Sequence, residues 1–186
     1  MFILSGAACG STLLHEVISA SNNVAIATNR WAREGMRLPL VREWLHYNGQ
    51  YNWKHQPAFN WTAIHRALLQ YWDPRKAVFL DKAPIYLFQA KGMAEEFAPA
   101  YFICLHRNPY SQIESYLRKS TMDIDECITY TLDTLIQQKH YLEQFDSAFG
   151  VSYTQLTDNT AETLKQLSAW LPEIGHIELK SSYGAH

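Results

Sequence analysis

Charge of either sign is scarce in this chain. Charged residues make up 18% of the sequence, and 16 basic against 18 acidic side chains leave a net charge of -2. Soluble proteins carry about 25% charged residues on average. With so little charge and no basic excess, no positive field extends over the protein to hold a nucleic acid or an anionic membrane. Any bound anion must therefore be held by local groups.

Cysteine is also rare, and its pattern excludes two classes of site. The three cysteines, Cys9, Cys104 and Cys127, are an odd number at wide spacing, with no C-x-x-C pair or Cys/His cluster. Neither a disulfide framework nor a zinc site is predicted, and a reducing compartment is favoured. The first residues lack a basic n-region, and their apolar run ends before Ser5. We therefore expect a cytoplasmic protein with no signal peptide, membrane span or metal.

The chain is rich in the hydrophobic residues that form a protein core. It has 186 residues, of which 47% are hydrophobic and 13% aromatic. This length corresponds to one domain, which can bury about 70% of the surface of the unfolded chain. No repeat or low-complexity run suggests a linker. We predict a single domain over residues 1–186.

Short β-prone runs alternate with helical patterns along the chain. This alternation predicts an α/β fold of three layers, with a central parallel sheet flanked by helices on both faces. We expect strands at 2–4, 24–27, 77–80, 101–105 and 151–153. We expect helices after the first strand, at 85–97, from Pro109 onward, in the periodic stretch 123–149, and at 160–171.

Residues 44–72 differ from the rest because aromatic side chains crowd into them. The segment contains Trp44, Tyr47, Tyr51, Trp53, Phe59, Trp61, Tyr71 and Trp72 together with His46, His55 and His65. Such side chains can line a pocket, in which case the segment is an insertion on the side of the molecule that binds a substrate. They can equally form the core of a helical cap, since tryptophan and tyrosine are highly buried on average.

The loop after the first strand is a candidate anion site. Small residues from Gly6 to Gly10 let successive backbone N–H groups point inward, the following helix adds partial positive charge, and Ser11 and Thr12 add hydroxyls. Small residues here can also serve only close packing of strand and helix. Ser11 occupies the place of the Walker lysine, which disfavours a nucleoside triphosphatase.

A second candidate site follows the strand at 101–105. Arg107 stands directly beyond the strand end, where ligands bind in open parallel sheets, and Ser115 follows eight residues later. Pro109 between them is well placed to begin a helix. The arginine can clamp an anion, or the two residues can be a surface arginine and an ordinary helix serine.

Together these segments resemble the PAPS-dependent sulfotransferases, which use 3'-phosphoadenosine 5'-phosphosulfate (PAPS) as cosubstrate. Residues 5–14, SGAACGSTLL, are similar to the phosphosulfate loop of the family, G-x-P-R/K-S-G-T-T-x-L. Residues 80–84, LDKAP, resemble its E-K-T-P segment, and residues 104–116 resemble its 3'-phosphate motif R-D/N-P-x(5)-S. Residues 151–156, VSYTQL, are a weaker match to its Y-E-D-L strand. The resemblance implies a P-loop fold like that of nucleotide kinases.

The resemblance also implies which residues bind the cosubstrate. The 5'-phosphosulfate falls to Gly6, Ala7, Ala8, Cys9, Gly10, Ser11 and Thr12, the 3'-phosphate to Arg107 and Ser115, and the adenine to Tyr153. The chain departs from the family at Ala8, where a lysine or arginine normally supports the leaving group. Cys9 and Ser11 also replace a serine and a threonine.

The resemblance names candidates for catalysis as well. Because Ala8 cannot supply a cation, Lys82 is expected to stabilise the leaving group. The base that activates the acceptor is expected to be Glu34, or a histidine of the aromatic segment such as His55 or His46. His15 is a weaker candidate, since the first helix is expected to bury or solvate it.

The function implied is transfer of a sulfuryl group from PAPS to a hydroxyl or amine, leaving adenosine 3',5'-bisphosphate (PAP). The weakly charged aromatic segment favours a small hydrophobic or carbohydrate-like acceptor over a polyanion. The first alternative is a pseudoenzyme or regulatory domain that binds PAP or PAPS without turnover, because the basic loop residue is missing. A kinase-like enzyme acting on phosphates is a further alternative, disfavoured by Ser11.

Overall fold

A computed structural model of the chain describes residues 1–27, 34–45 and 59–178. The strands are β1 (Phe2–Leu4), β2 (Val24–Ile26), β3 (Val78–Lys82), β4 (Phe102–His106) and β5 (Ala148–Ser152). The helices are α1 (Ser11–Ile18), α2 (Pro39–Leu45), α3 (Trp61–Leu68), α4 (Ala90–Glu96), α5 (Pro109–Leu117), α6 (Ile124–Gln144), α7 (Tyr153–Asp158) and α8 (Thr160–Trp170). Short 3-10 helices lie at Gly35–Arg37, Pro84–Phe88 and Pro172–Ile174.

The five strands form one parallel sheet in the order β2-β3-β1-β4-β5. Strand β1 is central, and the chain leaves it to build the sheet outward on both sides. The loops that follow β3, β1 and β4 therefore emerge side by side at one edge of the sheet. In open α/β sheets ligands bind at such an edge, beyond the carboxyl ends of the strands.

Apolar side chains lie on both faces of the sheet and form one core on each face. Phe2 and Leu4 of β1 belong to one core and Ile3 to the other, as the two-residue period of a strand requires. Helices α3, α4 and α6 cover the first face, and α1 and α8 cover the second. The expected three-layer architecture with a central parallel sheet is confirmed.

Two of the expected helices are shorter than their periodic patterns suggest. The stretch 85–97 divides into the 3-10 helix Pro84–Phe88 and α4, with Gln89 between them. The stretch 123–149 ends as a helix at Gln144, and Ala148 and Phe149 belong to β5. Asp123 begins α6 through a reciprocal capping box with Glu126. Apolar residues at the start of β5 continued the helical period, so the pattern alone gave no boundary.

The described part of the aromatic segment is mixed in its burial. Trp61 and Trp72 lie in the core beside the sheet, whereas Trp44 on α2 is 45% exposed. Residues 46–58, which include most of the remaining aromatics, lie outside the described residues. None of the helices in the described ranges combines the length and the apolar character that a membrane span needs.

Candidate active site

The loop between β1 and α1 has a backbone that suits an anion. Ala8 and Gly10 adopt positive φ angles of 63° and 92°. Gly10 is the N-cap of α1 and has no side chain with which to cap it. The first N–H groups of a helix have no partner within the helix, so those of Ser11 and Thr12 remain available to a ligand.

Gly10 cannot be replaced without strain. A Cβ atom built there would collide with the ring of Tyr153, and the left-handed backbone costs a non-glycine residue about 1–2 kcal/mol by itself. We expect Gly10→Ala to lower the free energy of unfolding by at least about 1 kcal/mol, as measured by denaturant titration. Gly150→Ala is the matched control, since its Cβ would meet Leu142 at an ordinary 3.4 Å. A neutral Gly10→Ala would contradict this packing.

Side chains of α5 and α6 form hydrogen bonds with the loop between β1 and α1. The Ala7 N–H donates to the hydroxyl of Tyr130 at 2.8 Å, and Gln112 Nε2 donates to the Ala7 carbonyl at 3.1 Å. A Cβ on Gly6 would lie 2.5 Å from Gln112 Nε2, which explains the glycine there. The Ala7 N–H is therefore directed into the protein and is not among the loop amides that face outward.

Cys9 is a structural residue of this loop. Its side chain is buried, and burial raises the pKa of the thiol to about 12. The positive charge of Arg107 lowers this pKa, but by less than burial raises it. A thiol that stays protonated is neither a nucleophile nor a metal ligand. It replaces the serine of the family motif as a small buried group.

Lys82 reaches the loop from the neighbouring strand. Its ammonium, buried at the end of β3, donates to Thr12 Oγ1 at 3.0 Å and pairs with Glu34 Oε1 at 3.0 Å. Adjacent parallel strands place this cation beside the N-terminus of α1. Lys82 therefore brings an ammonium to a loop in which Ala8 carries no charge.

Glu34 lies between two cations. Besides its pair with Lys82, its Oε2 accepts from Arg37 Nε at 2.9 Å. The side chain of Glu34 is 15% exposed and that of Arg37 is 58% exposed. The carboxylate is thus fixed on its inner side by Lys82 and bordered by a solvent-facing guanidinium.

Arg107 joins the second candidate site to the loop. Its Nη1 donates to the Ala8 carbonyl at 3.0 Å, and its guanidinium carbon lies 4.7 Å from the ring centroid of Tyr153, a cation–π distance. Tyr153 in turn packs against Gly10. The two anion sites expected from the sequence are therefore adjacent. Ser115 is buried on α5, six residues or about 9 Å along the helix from Pro109.

The structure brings most of the sequence-derived candidates to one edge of the sheet. Lys82, Glu34 and Arg107 all lie within hydrogen-bond contact of the loop or of one another. His55 and His46 lie outside the described residues. His15 is buried in α1.

Several supporting residues were not identified from the sequence. Gln138 Nε2 of α6 donates to the carbonyls of Leu4 at 3.0 Å and Leu105 at 2.7 Å, which joins the ends of β1 and β4. Asp81 accepts from Gly35 N–H and from Tyr86 Oη–H. The only signal for such residues is a polar side chain on a face that is otherwise apolar.

The donor set suits a ligand with several negative charges. An ammonium, a guanidinium, two hydroxyls and the N–H groups of a helix start surround one loop, and each stabilises oxyanions. The ring of Tyr153 beside Arg107 adds a flat apolar surface of the kind on which a nucleobase stacks. The residues present therefore fit a phosphorylated nucleoside.

Known proteins with similar folds include two solved sulfotransferases. One is a sulfotransferase from Alicyclobacillus acidocaldarius, with 15% identity, a TM-score of 0.63, and coverage of 98% of this chain and 86% of that one. The other is mouse sulfotransferase SULT7A1 complexed with PAP, with 12% identity and a TM-score of 0.54. The match to the mouse protein covers 98% of this chain but 60% of that one. At these identities the likeness shows a shared fold.

Sequence comparison is more specific. No curated protein matches the chain. The family model described as the Sulfotransferase family matches residues 1–173, which include every candidate described above. The chain belongs to the sulfotransferase family.

Proposed function

We propose that the protein transfers a sulfuryl group from PAPS to a hydroxyl or amine of a small acceptor. One observation carries this proposal: the buried ammonium of Lys82 lies 3.0 Å from both Thr12 Oγ1 and Glu34 Oε1. A cation and a carboxylate thus meet beside one helix N-terminus. Sulfuryl transfer can use both groups: the cation stabilises the oxygen that gains negative charge, and the carboxylate accepts the proton that the acceptor loses.

The donor would be held by the loop and by the residues around Arg107. The outward N–H groups at the start of α1 and the hydroxyls of Ser11 and Thr12 are suited to the 5'-phosphosulfate. Arg107 and Ser115 are suited to the 3'-phosphate, and Tyr153 to the adenine. The mouse neighbour is complexed with PAP, which supports a nucleotide of this kind as the ligand.

Lys82 and Glu34 would carry out the chemistry. When bound, PAPS supplies the sulfuryl group and a phosphate leaving group. The Lys82 ammonium then donates to the leaving oxygen as the sulfur–oxygen bond breaks, and preorganised donors of this kind contribute a factor of about 10² to 10³ to the rate. Glu34 accepts the proton of the acceptor as the new bond to sulfur forms.

A protein that binds PAP or PAPS without turnover is the second candidate. The observation that favours it is Ala8, which leaves the loop without a cation of its own. The position of Lys82 argues for activity, because its ammonium reaches the same loop from β3. Binding does not separate the two candidates, whereas turnover does.

A thermal-shift series tests the choice of nucleotide. We expect PAP to raise the melting temperature more than ADP or ATP at equal concentration, because Arg107 and Ser115 favour a 3'-phosphate. A ligand at 100 times its Kd stabilises a protein by about 2.7 kcal/mol. A shift with ATP and none with PAP would contradict the proposal.

A transfer assay separates the enzyme from the binding protein. The protein is incubated with sulfur-labelled PAPS and a panel of phenols, aliphatic alcohols, amines and monosaccharides. Labelled product above that of a heat-inactivated sample supports the enzyme. PAP binding with no product from any acceptor and no labelled sulfate released to water would favour the binding protein.

A further inference from the structure

Asp81 is a buried carboxylate for which the proposed chemistry has no direct use. It precedes Lys82 in β3 and is 1% exposed. Neighbouring residues of a strand point to opposite faces, so its side chain leaves the sheet on the side away from the Lys82 ammonium. Burial raises the pKa of Asp81 to about 6, although the hydrogen bonds to its carboxylate lower this pKa in part.

Three donors bond this carboxylate, and two of them belong to the segments that carry Lys82 and Glu34. Oδ1 accepts from the N–H of Gly35 and from the N–H of Lys82, both at 2.8 Å. Oδ2 accepts from the hydroxyl of Tyr86 at 2.6 Å. One side chain thus bonds both the backbone that carries Lys82 and the turn that follows Glu34.

Gly35 shows how closely this turn is fitted to Asp81. A Cβ on Gly35 would collide with Asp81 Oδ2. Glu34 directly precedes this glycine and begins the 3-10 helix Gly35–Arg37. The bond from Gly35 to Asp81 therefore fixes the backbone from which the Glu34 carboxylate reaches the Lys82 ammonium.

A buried carboxylate is costly for stability, since an apolar residue of similar volume avoids its desolvation. The three hydrogen bonds of Asp81 go to the Lys82 backbone, to the turn that follows Glu34 and to Tyr86. The first two link the segments whose relative position decides whether Glu34 reaches Lys82. Functional groups must keep their geometry within about 0.5 Å, and residues behind them provide that rigidity.

We propose that Asp81, oriented by Tyr86, is a positioning residue that holds Glu34 against Lys82 for sulfuryl transfer. The inference rests on the proposed function. It assigns Asp81 no contact with the donor or the acceptor, so its loss acts on turnover through the placement of Glu34.

The test compares Asp81→Ala, Asp81→Asn and Tyr86→Phe with the wild type. The kinetic probe is release of labelled sulfate from PAPS to water, or transfer to any acceptor found in the panel. We expect Asp81→Ala to lower kcat by about 10²-fold with an unchanged KM for PAPS, because a misplacement of about 1 Å costs that much. Asp81→Asn keeps an acceptor oxygen for Gly35 and Lys82, so we expect it to restore most of the activity.

Amide hydrogen exchange provides a readout that needs no turnover. We expect the Gly35 N–H to exchange faster in Asp81→Ala, with protection kept in Asp81→Asn and with unchanged exchange in β4. Asp146→Ala is the control, since this aspartate is exposed. Tyr86→Phe, which keeps the ring, tests the idea if Asp81→Ala does not fold. It should lower kcat by about tenfold and speed Gly35 exchange, because Oδ2 loses its donor.

Three results would overturn the inference. They are a folded Asp81→Ala or Tyr86→Phe with wild-type kcat, equal protection of Gly35 in all variants, and a loss in Asp81→Asn as large as that in Asp81→Ala. Failure of the proposed function is distinguishable, because it shows in the wild type as an absence of PAP binding and of transfer. The exchange experiment still decides whether Asp81 holds the turn in that case.

Discussion

Arg107→Ala is expected to weaken the binding of PAP by at least about 30-fold. The guanidinium stacks on Tyr153 and bonds the Ala8 carbonyl, so it stands between the loop and the surface proposed for the adenine. Truncating one partner of a buried, hydrogen-bonded charge pair costs about 2–5 kcal/mol, which weakens binding by about 30-fold or more. Isothermal titration calorimetry with PAP measures the effect.

Arg118→Ala is the matched control for this experiment. Arg118 follows α5, is 68% exposed, and pairs with Glu114 on the surface. Its removal should leave the Kd for PAP unchanged. An unchanged Kd in Arg107→Ala as well would show that the 3'-phosphate is bound elsewhere.

Lys82→Ala should reduce turnover far more than donor affinity. The ammonium lies beside Thr12 at the loop. In the proposed reaction the leaving oxygen gains charge there, so the contribution of Lys82 would be greatest in the transition state. We expect kcat to fall by about 10²- to 10³-fold, while the KM for PAPS changes by about threefold or less. Initial rates over a series of labelled PAPS concentrations give both quantities.

Two further variants make this result interpretable. Lys91→Ala removes an exposed lysine on α4 and should leave both quantities unchanged. Lys82→Met keeps the length of the buried stem, so it separates loss of the ammonium from loss of packing. Wild-type kcat in a folded Lys82→Met would exclude Lys82 as the group that stabilises the leaving oxygen.

The local motifs could be found from the sequence because each combines a strand, a turn and a helix start within a dozen residues. The loop after β1 and the Arg107 segment after β4 are of this kind. Their adjacency depends on the sheet order, in which β1 pairs with β4. Because 97 residues lie between Leu4 and Phe102, no local pattern predicts this pairing. Only the family resemblance predicted that the two segments bind one ligand, since the periodicity of the sequence does not show it.

The contacts that hold the site could not be predicted in this way. The pair of Lys82 and Glu34 spans 48 residues, and the bond from Asp81 to Gly35 spans 46. No fixed spacing in the sequence predicts either contact, because tertiary contacts determine where the turn that carries Glu34 lies. The end of α6 cannot be predicted for a related reason: the apolar residues Phe145, Ala148 and Phe149 suit a helix face and a strand equally well.

The amide of Gln138 bridges the carbonyl of Leu4, the last residue of β1, and that of Leu105, the last but one of β4, from a helix that follows both strands in the chain. Leu4 directly precedes the loop between β1 and α1, and Leu105 lies two residues before Arg107. One side chain therefore fixes the spacing between the binding points proposed for the two ends of the nucleotide. The length of nucleotide that the protein accepts would then be set from inside the protein, by a buried side chain of α6.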